Sequence, residues 1–599
     1  MALSLKTDPE QKTWEEYKLD IQKLKDANKA MSESDAIAFA RTFCYAVTKY
    51  LWKYTDYREK WECRPVKFNK TQFNFETQKL SREIAEYFVS LNIMEYAHLL
   101  GNLYTMLLPD SYRSDNGVYY TPPALAERLL DLLTAEGADW IQAEILDPAC
   151  GGGAFLITVA NRILGDYRIK AFSSEEKIRH LETHLAGFEL DAFAGWLTQT
   201  LLDILVYSES VEMGRRLKPV VKIEDTIQHA LKESRRFDVI LGNPPYGKIQ
   251  LGDTLRKDYA RCLYGHANLY GLFIDAALRL NIRDGLIGFV TPTSFLGGKY
   301  FSNLRKLLSE MAPPLAIDFI SMRTGVFDQV LQETCLAVFG KNNTKTVTTN
   351  KISVEKDVYN VERLGSFPIE TGVNPWIIAR EPEEAELLNR ANAMKNTLED
   401  YGYKVFTGQL VWNRLKKQIC QGKIQQGKPI IWAEAILPDG EFSFDYKSRK
   451  DKKYIKIGDA QDFLVCKEPV VLVQRTTSKE QQRRLQSCVL PESFIKEWNG
   501  VVVENHVNII RPISETPQIS LQALCLLLNC KTVDRFFRCL SGSVAVSASE
   551  LHAIPLPPAD KLNKLEELAG SWKNRKINAE KIEQVIMSAY GLEEANIEL

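Results

Sequence analysis

Seven histidines in 599 residues, and eleven cysteines without one Cys-x-x-Cys pair, leave little from which to build a metal centre. Zinc sites and a disulfide framework are therefore not expected, and the thiols read as reduced and structural. No run of 18 apolar residues offers a membrane span. The opening Met1-Ala2-Leu3-Ser4-Leu5-Lys6-Thr7-Asp8 has no apolar core, so a secretory signal is not expected and a cytoplasmic location follows. Neither sign of charge prevails: 76 Lys and Arg face 77 Asp and Glu, a net charge of −1. Any basic face for nucleic acid must then be local. The dinucleotide Gly-x-Gly-x-x-Gly and the phosphate-loop Lys-Ser/Thr are missing too. Within residues 1–112, Pro109-Asp110 is not followed closely by the Glu-x-Lys of a common nuclease core, so a fused cleavage domain is not supported. What remains, at 45% hydrophobic and 26% charged residues, has the composition of a soluble globular protein, and its length implies two or three domains.

The most informative stretch runs from Phe237 to Gly247, Phe-Asp-Val-Ile-Leu-Gly-Asn-Pro-Pro-Tyr-Gly. Its apolar part reads as a buried strand, and Pro244 and Pro245 end it, because each lacks a ladder donor and has a fixed φ. The tip of a parallel strand is where open α/β sheets place their chemistry. This tip carries the Asn243 amide, the Pro244 carbonyl and the Tyr246 ring. Such a set suits a planar nitrogen nucleophile, whose lone pair is delocalised until acceptors draw on its hydrogens. A base inside a duplex cannot reach the tip, so the reading implies a nucleotide extruded from the stack. A tight turn after a strand is the plainer alternative for the four residues alone.

Residues 1 to about 112 read as helical, with apolar helical spacing through Ala36–Leu51 and Ile84–Leu108. They show no chemistry of their own and are expected to serve packing or to clamp DNA. At Tyr120-Thr121-Pro122, Thr121 is placed as a helix N-cap and Pro122 as the first helical residue. Ile145-Leu146-Asp147-Pro148-Ala149-Cys150-Gly151-Gly152-Gly153 reads as a strand and a glycine-rich turn before an apolar helix. A second strand ends in Glu189, where nucleoside sites place an acid on ribose hydroxyls. A third, Pro219–Glu224, ends before Asp225. Strands alternating with helices describe a doubly wound α/β sheet whose ligand edge is lined by Asp147, Glu189, Asp225 and Asn243. One acid could be a helix cap; four polar residues in order at strand ends are harder to explain that way.

These motifs and their order resemble the gamma-class N6-adenine DNA methyltransferases, the TaqI-like enzymes of restriction-modification systems that carry Asn-Pro-Pro-Tyr. The resemblance covers roughly residues 117–340. It implies a Rossmann-like, S-adenosylmethionine-dependent methyltransferase sheet. Tyr120, Thr121, Asp147, Ala149 and Gly151 would then border the cofactor, Glu189 its ribose hydroxyls and Asp225 its adenine amine. The catalytic set implied is Asn243, Pro244, Pro245 and Tyr246, with Tyr246 and Phe327 stacking on the flipped adenine. Gly265–Phe273 would open a later helix and Gly285–Ser294 a fifth strand. Thr226 departs from the pattern, since relatives often place an aromatic residue there. No metal is implied.

Lys341–Asn350 reads as a polar turn, an edge hairpin closing the sheet. A charged helix is expected near Glu381 to Leu398. Beyond it, residues 404–456 carry 12 Lys or Arg against 5 Asp or Glu, interleaved with aromatics, which suits phosphate contact. Lys447, Arg449, Lys450, Lys452 and Lys453 are the run expected on DNA, with Gln418–Gly427 as a candidate for reaching a groove and Arg475, Arg483 and Arg484 as further contacts. A solvated basic face is the plainer reading of that run. His506 reads as structural. Val470–Thr477, Gly500–Asn508 and Val544–Pro557 read as strands and loops, and a helix-rich tail follows from about Lys561. This part resembles the target-recognition region of single-chain adenine methyltransferases.

The expected division is a helical region over 1–112, a catalytic domain over 113–345, a linker over 346–399, and a mixed α+β target-recognition domain with helical tail over 400–599. The function this implies is transfer of a methyl group from S-adenosylmethionine to adenine N6 in double-stranded DNA by a monomer, with a separately encoded cognate restriction endonuclease left open. Enzymes that methylate a glutamine amide of release factors share Asn-Pro-Pro-Tyr but lack so large a basic and aromatic C-terminal region. A bifunctional enzyme that also cuts, and a silent methyltransferase fold that only binds DNA, stand as alternatives. The missing nuclease signature weighs against the first and the intact Asn243–Tyr246 against the second.

Overall fold

In the computed structural model the described residues are 12–592, save 55–59, 117–120, 322–332, 342–344, 356–357, 392–393, 421–426, 446–451, 478–480, 541–544 and 572–578. The chain divides into two compact units, Met1–Pro292 with Leu307–Glu362, and Thr293–Lys306 with Arg363–Leu599.

The first unit opens with helices α1 (Trp14–Ala27), α2 (Glu33–Tyr54), α3 (Phe75–Val89) and α4 (Ile93–Leu107). Reciprocal capping boxes start α1 at Thr13 with Glu16 and α4 at Asn92 with Glu95, satisfying end N–H groups that the helices cannot. Along α4, Leu100, Leu103, Tyr104 and Leu107 recur at helical spacing and are buried. Two short connections, α5 (Asp110–Asn116) and α6 (Pro123–Ala135), lead to β1 (Ile145–Asp147) and α7 (Ala154–Gly165), then β2 (Leu185–Glu189), α8 (Ala192–Leu205), β3 (Val221–Ile223) and β4 (Phe237–Gly242). After these come β5 (Asn281–Pro292), β6 (Pro314–Ile320), β7 (Thr334–Phe339), β8 (Thr346–Glu355) and β9 (Val358–Pro368).

These nine strands form one sheet in the order β9-β8-β6-β7-β5-β4-β1-β2-β3. The pairs β3–β2, β2–β1, β1–β4 and β4–β5 are parallel, whereas β7 runs antiparallel to both β5 and β6. The order reverses between β1 and β4, so the carboxyl ends of these two strands flank the crevice where doubly wound sheets bind ligands. Leu100 and Leu103 of α4 share a hydrophobic core with Leu197 and Leu201 of α8, all fully buried. Each such side chain contributes roughly 1.5–3 kcal/mol against exposure, far more than the ~0–1 kcal/mol of a partly exposed ion pair. Burial, not charge, therefore docks the N-terminal helices on the sheet.

Three expectations change here. α6 begins at Pro123, with Pro122 as its cap at ψ 144° and no side-chain cap. Pro123 sterically drives the residue before it out of the helical region, so Pro122 cannot be helical. Lys341–Asn350 is not an edge hairpin, because β8 pairs in parallel with β6 across from β7. The expected linker at 346–399 does not begin at 346, since β8 and the edge strand β9 occupy its first part.

The second unit holds a four-stranded antiparallel sheet, Tyr403–Thr407, Val507–Pro512, Val471–Gln474 and Ser487–Val489 in spatial order. A five-stranded sheet is built from Ile419–Cys420, Tyr454–Lys456, Gly427–Ile431, Val501–Val503 and Val465–Cys466. The charged helix is shorter than expected, Ala385–Ala391, and Asn396 beyond it forms a bridge with Leu556. Within Val544–Pro557 the residues Ala548–His552 form a helix, started by a capping box between Ser547 and Glu550. Among the described residues no helix is long and apolar enough to cross a membrane.

Candidate active site

A cavity of about 530 Å³ lies at the carboxyl ends of β1, β2 and β4, within the roughly 300–1,000 Å³ of small-molecule sites. Its floor is the turn from Pro148 to Gly153. Gly151 and Gly153 have φ of +51° and +91°, conformations that favour glycine. Gly151 lines the cavity and its backbone is bare where a ligand would approach, whereas Gly153 packs against Ile157 and Thr198. The Gly151 carbonyl accepts from Thr198 Oγ1 at 2.6 Å, tying the turn to α8.

Glu189 ends β2 at the cavity wall. Its Oε2 accepts from the Gly151 N–H at 2.8 Å and its Oε1 from the Asp191 N–H at 2.8 Å. Burial raises its pKa, and the two N–H donors oppose that rise. Each oxygen keeps acceptor capacity for a hydroxyl. Asp225 also lines the cavity and caps a short helix at Thr226–His229, accepting from Ile227 N at 3.0 Å and from Gln228 Nε2 at 2.8 Å. The adjacent Thr226 is buried and donates from Oγ1 to the Pro148 carbonyl.

Asp147 sits beneath the turn rather than among the lining residues. It is 1% exposed, and its Oδ1 accepts from the Ala149 N–H at 3.0 Å, which shapes the first bend. Among the described residues its Oδ2 is buried without a hydrogen-bond partner. Burial, with a contribution from Glu189, pushes its pKa up to about 8 against the opposing Ala149 N–H.

At the end of β4, Asn243 and Pro245 line the cavity. Asn243 Nδ2 donates to Thr121 Oγ1 at 3.0 Å, so Thr121, buried at the start of α6, holds this amide instead of capping the helix. Asn243 Oδ1 accepts from the Tyr246 hydroxyl, which also reaches the Val290 carbonyl at 3.2 Å. The Tyr246 ring is 5% exposed and packs edge-on to Tyr270 with centroids 6.3 Å apart. In this arrangement the ring is covered, so the face expected to stack on a base is not presented. Tyr120 and Phe327 lie outside the described residues, as do Lys447, Arg449 and Lys450.

The other basic residues expected on DNA are engaged in the second unit. Lys452 Nζ lies 3.7 Å from the centroid of the Trp412 ring, and Lys453 donates to the Phe444 carbonyl at 2.9 Å. Arg475 donates from Nη1 to the Asn505 carbonyl at 3.0 Å. Arg483 bonds the Asn529 and Pro438 carbonyls. Arg484 is 1% exposed, with its Nε on Thr477 Oγ1 at 3.0 Å, and so cannot meet a phosphate. His506 pairs with Glu504 at 2.9 Å, a local structural contact.

The sequence reading missed the far wall. Arg41, Gly101 and Tyr104 from the N-terminal helices line the cavity, as does Leu190, whose side chain is 70% exposed beside Glu189. An exposed leucine flanked by an acid gives a purine ring an apolar face next to its ribose. The donor set, the bare turn and the cavity size thus fit a nucleoside with an amino-acid tail.

Residues 165–327 match the Eco57I restriction-modification methylase family. The chain carries a restriction-modification methylase domain. Glu189, Asp225 and Asn243 all fall inside it. The chain is 26% identical over 485 residues to the Type II methyltransferase M.BsuBI of Bacillus subtilis, covering 77% of this chain and 90% of that relative. To the Type II methyltransferase M.PstI of Providencia stuartii it is 24% identical over 513 residues, covering 83% and 97%. The Type IIL restriction-modification enzyme MmeI, solved in complex with DNA, is similar at a TM-score of 0.52 and 14% identity, over 96% of this chain and 91% of that one. At that identity the likeness concerns the fold, a Rossmann-like methyltransferase sheet.

Proposed function

We propose that the protein is a site-specific DNA methyltransferase of a restriction-modification system that transfers a methyl group from S-adenosylmethionine to N6 of an adenine swung out of the duplex. The observation that carries this reading is the Asn243 amide, held at the rim of the same cavity that contains Glu189, Asp225 and the bare glycine turn. When bound, S-adenosylmethionine supplies an electrophilic methyl carbon. Glu189 would accept from its ribose hydroxyls and Asp225 from its adenine amine, with Leu190 against the purine face.

With its nitrogen on Thr121 and one lone pair of its oxygen accepting from the Tyr246 hydroxyl, Asn243 would offer the second lone pair of that oxygen to the target amine. Together with the Pro244 carbonyl it would draw on the two amine hydrogens and localise the nitrogen lone pair toward the methyl carbon. Positioning and preorganised dipoles carry the rate. The Tyr246 hydroxyl donates to the same oxygen, so base binding and the placement of Tyr246 would be linked. Double-stranded DNA is the partner this reading requires, and the basic residues at 447–450 are its proposed phosphate contacts.

Calorimetric titration with S-adenosylhomocysteine tests the cofactor half. Binding by the full chain, weakened about tenfold or more in Glu189→Ala, supports it. Equal binding by both proteins rejects the ribose assignment.

A further inference from the structure

The N-terminal helices reach the cofactor acid through a continuous set of hydrogen bonds. Arg41 of α2 donates from Nη2 to Asp191 Oδ1 at 3.0 Å, and from Nε to the Tyr104 hydroxyl at 3.3 Å. Tyr104 of α4, 4% exposed, donates its hydroxyl to Asp191 Oδ2 at 2.7 Å. The Asp191 N–H in turn donates to Glu189 Oε1. Asp191 also caps α8, accepting from Phe193 N at 2.9 Å. One carboxylate thus receives three donors, two of them from helices more than eighty residues away in sequence.

The approach is close in the backbone as well. A Cβ added at Gly152 would come within 3.3 Å of the Gly101 Cα, so α4 lies directly over the glycine turn. Ala97, Gly101, Tyr104 and Thr105 of α4 line the same cavity as Glu189. A free glutamate side chain samples several rotamers, and a ribose needs both its oxygens in one plane and place. Gly151 N–H pins one oxygen from the turn, and Asp191 N–H pins the other only while the Leu190-Asp191 loop is held still. Arg41 and Tyr104 are the groups that hold it.

Resting on the cofactor reading above, we propose that Arg41 and Tyr104 are positioning residues for S-adenosylmethionine, acting through Asp191 on Glu189. The N-terminal helices then form a wall of the cofactor site, where packing or a DNA clamp was expected. Their effect on affinity runs through the ribose hydroxyls and not through the methionine end or the purine.

The test is a double-mutant cycle on the full chain, with Tyr104→Phe and Glu189→Gln singly and together, read by calorimetric binding of S-adenosylhomocysteine. Tyr104→Phe keeps the ring and its burial, and unfolding midpoints of all variants establish that the fold persists. The expected result is a roughly tenfold loss of affinity for Tyr104→Phe in the native background and little further loss once Glu189 is Gln. Arg41→Gln, at the other donor to Asp191, should show the same dependence on Glu189. Unchanged affinity in Tyr104→Phe, or equal losses in both backgrounds, overturns the proposal. Failure of the native chain to bind S-adenosylhomocysteine at all sinks the cofactor reading instead, so the two failures are told apart.

Discussion

Asn243 and Thr121, 122 residues apart in sequence, are joined by a 3.0 Å hydrogen bond from the Asn243 amide nitrogen to the Thr121 hydroxyl. The bond fixes the orientation of the amide, with its nitrogen on Thr121 and its oxygen toward the Tyr246 hydroxyl. Because Thr121 is 3% exposed, water cannot replace it readily.

Thr121→Val keeps the shape and removes the acceptor. The half-buried amide N–H then loses its partner, at a cost of roughly 1 kcal/mol, and the amide is free to turn. Single-turnover methylation of a cognate duplex should fall about tenfold or more, with S-adenosylhomocysteine affinity within about twofold of the native value. Equal loss of binding and rate would make Thr121 a cofactor residue instead.

Asp147 predicts a pH dependence. Its native pKa, about 8, lies above the roughly 3.9 of an unfolded aspartate, so between these values the native state holds a proton that the unfolded state has released. The stability it contributes is complete below about pH 4 and is lost as pH rises through about 8. Asp147→Asn cannot ionise. Chemical denaturation midpoints of the native chain should therefore fall between pH 6 and 8.5 more steeply than those of the variant. Parallel curves would contradict the buried, protonated carboxyl.

The basic residues separate into two groups. Neutralising Lys447, Arg449 and Lys450 together should weaken DNA binding and reduce its salt slope by up to about 3, roughly one for each phosphate no longer neutralised. Replacing Arg475, which braces the Asn505 carbonyl, should lower the unfolding midpoint with little change in that slope. A salt slope indifferent to the first set would make the run a solvated face.

Much of the first unit was legible because each of β1, β2 and β4 is an apolar run stopped by a polar residue, and an apolar run ending in Asn-Pro-Pro admits few structures. The start of α6 was misplaced by one residue although the Pro122-Pro123 pair contained the answer. Where β8 runs, polar residues outnumber apolar ones, and burial of Val347, Thr349 and Ile352 follows from its place in the sheet beside β6 rather than from local pattern. The Arg41–Tyr104–Asp191 arrangement has no local signal at all, since Arg41 and Tyr104 lie 63 residues apart and meet only because buried leucines dock α4 on α8. Arg484 misled for the opposite reason: an arginine pair in a charged, glutamine-rich stretch reads as surface, yet the Arg484 guanidinium is buried in the second unit.

The most direct test of the central claim is to express the chain in a host without adenine methylation and read that genome by modification-sensitive long-read sequencing. N6-methyladenine is expected at one short recurrent motif, and is expected to be absent from cells expressing Asn243→Ala at equal protein level. A genome without modified adenine, or one modified equally by the Asn243→Ala variant, would contradict that claim.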